Sequence, residues 1–208
     1  MACSGCHSNP TTSPATTSTS PALDPQLYFI HEPSGIAFPK SLDGYVFAGQ
    51  RQYNRQGTDV SFGWNRLDTI TPMAATVYVF PAPSLISIGS PKEVVDEAKA
   101  KLFDQVWEQQ IRSIMESHAP VMASPPETVT ISYAGHTYTG RRQLFQYEQV
   151  FALERRQVTS SLYLFSFVNK KWSLKYRFTY PASAEMRTTT DQFITLVPVA
   201  NRLQAINP

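Results

Sequence analysis

The stretch Trp172-Ser-Leu-Lys-Tyr-Arg-Phe-Thr-Tyr180 constrains the fold of this chain more than any other. Large apolar residues stand at 172, 174, 176, 178 and 180, with Ser173, Lys175, Arg177 and Thr179 between them. A period of two puts successive side chains on opposite faces of a strand. One face therefore carries five large residues, and neighbouring strands plus a covering layer are needed to bury them. The same period recurs at Thr58–Arg66, where Val60, Phe62 and Trp64 share a side. At Tyr45–Tyr53 it groups Tyr45, Phe47, Gly49, Arg51 and Tyr53 opposite Gln50 and Gln52. Asn54-Arg-Gln-Gly57 joins these two runs as a turn, so they form a hairpin. Leu27–His31, Ala74–Phe80, Thr128–Tyr133, Thr137–Tyr147 and Val158–Val168 also read as strands. Pro33-Ser-Gly35, Ala134-Gly-His136 and Asn169-Lys-Lys171 supply turns.

Residues 91–117 follow a different period. Val94/Val95, Ala98, Leu102/Phe103, Val106/Trp107, Ile111 and Ile114/Met115 recur at helical spacing, which predicts a long helix with one buried stripe. Ser90-Pro-Lys-Glu93 has the form of a capping box with Pro91 at the first helical position. Glu97–Lys101 and Glu108–Arg112 are favourable i,i+4 pairs. The helix ends near His118, ahead of Pro120. A second helix is expected over Ala184–Val197, with Ser183 as N-cap and Met186, Phe193, Ile194 and Val197 inward. The chain thus reads as α+β, an antiparallel β-sheet covered by a long central helix and a C-terminal helix. Residues 26–198 form one domain and 199–208 a loose tail.

Residues 7–22, HSNPTTSPATTSTSPA, carry no hydrophobic period. Such Ser/Thr/Pro composition does not bury enough surface to order itself, so 1–25 reads as a disordered tether. Charged residues are only 16% of the chain, against about 25% in an average globular protein, which suits an extracytoplasmic protein. A net charge of +2 is too small for a nucleic-acid partner. No apolar run is long enough to span a membrane as a helix. Neither a basic n-region nor an apolar h-region is visible, as in a form whose leader has been removed. Both cysteines, Cys3 and Cys6, lie in the first six residues. The domain is therefore expected to hold no internal disulfide and no cysteine-based metal or nucleophile site.

Three features occur in order: Pro33-Ser-Gly-Ile-Ala-Phe-Pro39 leading into a hairpin, the long helix at 91–117, and Trp172-Ser-Leu-Lys-Tyr-Arg-Phe-Thr-Tyr-Pro181 leading into a closing helix. Across about residues 27–198 this arrangement resembles the fold shared by the PsbP extrinsic protein of photosystem II, the Mog-type Ran-binding proteins and the bacterial DcrB-like lipoproteins. The resemblance implies an α/β/α sandwich. Its members do unrelated jobs, so it implies little about activity. The photosystem members imply manganese or calcium handling; this chain has no acidic or histidine cluster to match, and no functional residue carries over.

The N-terminus holds two chemical patterns. Ala2-Cys3 resembles the end of a bacterial lipobox, which would make Cys3 the lipidated residue; Cys6, after Ser4-Gly5, is the alternative. Each acyl CH₂ buried in a bilayer contributes ~0.8 kcal/mol, and several chains make anchoring stable. Cys3-Ser-Gly-Cys6-His7 also matches the attachment pattern of c-type haem. No large apolar residue follows until Leu23, leaving nothing nearby to pack a haem. His7, His31, His118 and His136 show no metal-ligand spacing. No nucleophile elbow, phosphate-binding glycine loop or zincin helix occurs. Asp59 and Asp68 meet Glu148 or Glu154 only if the fold happens to bring them together.

Arg141, Arg142, Arg155, Arg156, Lys170, Lys171, Lys175 and Arg177 concentrate cations in the second strand block. Lys175 and Arg177 share the face opposite the aromatic stripe, and Arg141 or Arg142 joins them if strand 137–147 is a neighbour. This gives either a basic face for an acidic partner or a solvated outer face that discourages aggregation. The expectation is a non-enzymatic lipoprotein on the periplasmic side of a bacterial envelope membrane, without cofactor or metal. Its partners would be the membrane, through the lipid, and an envelope protein or anionic ligand. The alternatives are a hydrolase with an unrecognised site and a haem electron-transfer protein using Cys3, Cys6 and His7.

Overall fold

In the computed structural model, residues 24–67, 71–84, 89–133, 136–167 and 171–198 are described. Cys3, Cys6, His7, nearly all of the expected tether, Asp68, Ala134-Gly135, Asn169-Lys170 and the tail 199–208 lie outside them. A hairpin of β1 (Tyr28–His31) and β2 (Ile36–Pro39) comes first. A meander follows: β3 (Val46–Gln52), β4 (Val60–Arg66) and β5 (Met73–Pro81). The helix α1 (Lys92–Ser117) crosses to the far edge of the sheet. There β6 (Met122–Ala123) and β7 (Glu127–Tyr133) both pair with β8 (His136–Phe151). The strands β9 (Glu154–Phe167) and β10 (Trp172–Pro181) return to the centre, and α2 (Arg187–Leu196) closes the fold. The sheet order is β3-β4-β5-β10-β9-β8-β6, with β7 beside β8, and every pairing is antiparallel. The expected α+β class is what is found, with one large antiparallel sheet and two helices among the described residues.

The central strand β10 has the alternation that its sequence demands. Leu174, Tyr176, Phe178 and Tyr180 are buried in one core with Phe62, Trp64, Val77, Phe165, Ile36 and Phe38. The hairpin β1–β2 and the α2 residues Met186, Phe193, Ile194 and Val197 close that face. A second core lies on the other face, where Trp107 and Ile114 of α1 meet Phe145, Tyr147, Val158, Leu162 and Leu164. Burying a side chain of this size contributes about 1.5–3 kcal/mol.

Four local expectations change. Helix α1 begins one residue later than expected, with Pro91 as N-cap and no side-chain cap bond, so the Ser90/Glu93 box does not form. Proline has no N–H to offer Glu93 in return, so the reciprocal bond of a capping box at this start is absent. Helix α2 starts at Arg187 rather than Ala184, because Ala184 N–H bonds the Pro181 carbonyl in a turn. The Glu185 carboxylate, not Ser183, accepts from the first free amide, Arg187 N–H, at 2.9 Å.

The third change is in β3. The register slips between Phe47 and Gly49, a β-bulge. Phe47 stacks on Phe29 at 4.5 Å in the α2-side core, whereas Tyr53 approaches Tyr78, at 6.1 Å, on the α1 side. A strict alternation would have kept them together; one extra residue exchanges the faces. Gly49, with φ of 139°, supplies the backbone that the bulge needs.

The fourth change is the length of β8 and β9. They continue past Tyr147 and before Val158 as a ribbon, closed by Ala152-Leu153 between the paired residues Phe151 and Glu154. Both turn residues have positive φ, 52° and 69°, the pattern normally taken by Asn-Gly. Leu153 is 99% exposed there. Replacing Ala152-Leu153 by Asn-Gly relieves this strain without removing a buried contact. A gain of about 1–2 kcal/mol is expected in urea unfolding, since left-handed β-carbons cost about that much per residue. An unchanged midpoint would show that the turn is unstrained.

Candidate functional site

A pocket of about 370 Å³ opens between α1 and the sheet. Four local rules build it. The alternation of β10 directs Lys175 away from the aromatic core and toward α1. The register of β5 places Tyr78 directly across from Lys175, with Phe80 two residues on. The β3 bulge turns Tyr53 onto this face, and the β3–β4 turn brings Asp59. On α1, Val106, Gln109 and Gln110 are spaced i, i+3 and i+4, so they line one side. Pro81 completes the wall.

Lys175 is the polar centre. Its ammonium donates to Gln110 Oε1 at 2.8 Å and lies 3.7 Å from the centroid of the Tyr78 ring. Burial, then the neighbouring Arg177 guanidinium, lowers its pKa to about 8, against a smaller opposing pull from Asp59. The Asp59 carboxyl is pushed upward by its own burial, with Lys175 and His31 pulling back. Burial raises the Tyr78 phenol as well. Tyr53 is held by its hydroxyl, 3.1 Å from Ser61 Oγ, and by the Arg51 guanidinium 5.1 Å from its ring.

Arg177, two residues along, ties down the end of α1. Its Nη2 donates to His118 Nε2 and to Tyr147 Oη, both at 2.9 Å, and its Nε donates to Ser160 Oγ at 3.1 Å. His118 follows the helix and stacks on the Tyr147 ring at 4.1 Å. Burial, then the Arg177 charge, lowers the His118 pKa.

Lys175 and Arg177 share one face of the sheet, and of the two arginines offered as neighbours Arg141 joins them while Arg142 does not. Lys175 and Arg177 lie beneath α1. Arg141 also faces α1, ion-paired to Asp104 at 2.5 Å and 5.3 Å from the Phe103 ring. Arg142 points to the opposite face, buried over the Tyr163 ring and bonded to Glu127. Adjacent residues on a strand have no other option. Glu127 also accepts from Arg187 at 3.0 Å, so it clamps α2 to β8. These two arginines hold the Glu127 carboxyl below its usual range. The Tyr163 hydroxyl lies 2.9 Å from Thr190 Oγ1 and donates to Asp191 at 3.0 Å, which adds a second clamp.

His31 and Ser34 form a close pair that the sequence did not single out. His31 Nδ1 is 2.6 Å from Ser34 Oγ, and its Nε2–H donates to the Gly57 carbonyl at 2.9 Å. Ser34 Oγ also accepts from Ile36 N–H at 3.2 Å. Both residues are buried. The pair fastens the β1–β2 turn to the β3–β4 turn. Of the scattered carboxylates, Glu148 pairs with Arg155 and Glu154 with Arg156, while Asp59 lines the pocket. Among the described residues no three His, Cys, Asp or Glu side chains converge as a metal site would require. Compared with known protein families and with curated proteins, the chain matches none.

Four of these groups set a pH dependence. His31 and His118 both titrate below their ordinary value of 6.5 in the fold, His31 mainly through burial. The unfolded chain takes up their protons first, so stability is full above 6.5 and is lost as pH falls from there toward the lowered folded values. Glu127 adds a loss only further down, below its ordinary 4.5. Lys175 acts at the other end: with a folded pKa of about 8 against 10.5, stability rises as pH climbs between those values. Urea unfolding from acid to alkaline pH should show both limbs. Lys175→Met should remove the alkaline rise and keep the acid loss; an alkaline rise that survives the substitution would assign it elsewhere.

Proposed function

We propose that this chain is a lipid-tethered, non-enzymatic domain of the bacterial cell envelope that binds a ligand in the pocket between α1 and the sheet. The pocket carries the reading. Small-molecule sites are concave and largely preformed, at about 300–1,000 Å³, with apolar walls and a few convergent polar groups. Here Phe80, Pro81 and Val106 give apolar wall, and Lys175, Gln109, Gln110, Asp59 and Tyr53 give polar atoms. Most of these groups stand on strands or on α1 rather than on long loops, which favours a binding geometry held in advance. The tether part of the reading is supported by Ala2-Cys3 and by the Ser/Thr/Pro composition of residues 7–22. The α1 helix on one face, with α2 and β1–β2 on the other, supports the likeness to the PsbP and DcrB-like sandwich.

Intact-mass measurement of the N-terminal peptide, after expression with the native upstream leader in a bacterial host, tests the tether. A diacylglyceryl and acyl adduct on Cys3, or on Cys6, is the expected result. A haem adduct across Cys3 and Cys6 would replace this reading by electron transfer. Unmodified thiols would remove the envelope placement.

A further inference from the structure

We propose that the ligand of the α1–sheet pocket is a small organic monoacid, its carboxylate on Lys175 Nζ and its apolar body against Phe80, Pro81 and Val106. The inference rests on the pocket being the binding element of the domain. It starts from the way Lys175 is solvated. An ammonium has three donors. Gln110 takes one and the Tyr78 ring face a second, which leaves one for an occupant of the pocket. Both direct partners are uncharged, so among the described residues the half-buried cation has no anion at contact distance. A cation in that state gains strongly from a carboxylate, because charge-assisted hydrogen bonds strengthen where water is excluded.

The rest of the pocket narrows the class further. Phe80, Pro81 and Val106 offer carbon surface, so a bare inorganic anion would leave them uncovered. Asp59 lines the same pocket, and a second acidic group on the ligand would meet it as a like charge. The Gln109 and Gln110 amides offer donors and acceptors without net charge. The fit is therefore to one carboxylate on a compact apolar body, of a size that about 370 Å³ holds.

The pH behaviour follows from the same groups. Facing Lys175 are Tyr78 from β5, Arg177 from β10, Asp59 and Tyr53 from the β3–β4 hairpin with Arg51 behind Tyr53, and the neutral Gln109 and Gln110 from α1. Lys175 loses its proton near pH 8, so a carboxylate should lose its advantage above that point.

The test is a titration of the full chain with 3-phenylpropionate and with its neutral counterpart 3-phenylpropanol, followed through the Gln110 side-chain amide resonances. At about pH 7 the acid should bind about tenfold more tightly than the alcohol, and at about pH 9.5 the two should agree within about twofold. Lys175→Met should reduce the acid to the alcohol's affinity, while Lys175→Arg, which keeps a cation, should retain the preference. The thermal midpoint of each variant confirms its fold. Equal binding of acid and alcohol by the unaltered chain at neutral pH would overturn the monoacid and leave the pocket as a neutral site. A preference that persists in Lys175→Met would overturn the role of Lys175. No shift at Gln110 with either compound would overturn the monoacid together with the pocket as the binding element.

Discussion

The burial of β10 on both faces is the constraint from which most of this structure follows. A strand between β5 and β9 has no edge to expose, and helices or hairpins cover it above and below. On one side this is undemanding, because Leu174, Tyr176, Phe178 and Tyr180 are apolar or end in a hydroxyl that finds a partner, as Tyr176 does at the Val197 carbonyl. On the other side it places Lys175 and Arg177 under a helix. Both cations are half-buried there, so protein groups must replace the part of their hydration that the helix displaces. The helix supplies Gln110 to one and is followed by His118 for the other, and the sheet supplies Tyr78, Tyr147 and Ser160.

That requirement also explains the uneven packing of α1. Only Trp107 and Ile114 of its 26 residues are buried, and its first turns carry exposed ion pairs such as Lys92–Asp96 and Lys101–Glu97. Apolar contact alone would set its position loosely. The bonds from Gln110 and His118 to neighbouring residues of β10 hold it in register, and the space beside Gln110 remains open as the pocket. The opposite face has the reverse character: α2 and the β1–β2 hairpin close a dense aromatic core in which Phe193 meets Tyr45, Trp64 and Phe178. Its polar groups, the Glu127 clamp and the His31–Ser34 pair, fasten elements together. The two sides of one sheet thus divide the work between cohesion and a chemically mixed cleft.

The sequence by itself determined the class of fold, because both periods are local properties of the chain. Alternation at 172–180 and 58–66 and helical spacing at 91–117 survive into the structure with only small shifts at the ends. What it did not determine was which alternating face met solvent. Lys175 and Arg177 stood out as cations, and nothing in their own strand says that a helix whose Gln110 stands 65 residues away in sequence will lie over them. Gln110, which completes the site, is an ordinary polar helix residue until β10 is placed beneath it. Tyr53 stood on the wrong face because a single bulge at Phe47–Gly49 is invisible to a count of alternating residues. Arg141 and Arg142 could be assigned to opposite faces from sequence, yet which of them joined Lys175 depended on the register of β8 against β9. Periodicity fixes what each segment can be, through forces that act along the chain. Register and layer order fix which side chains meet, and these come only from contacts between segments distant in sequence.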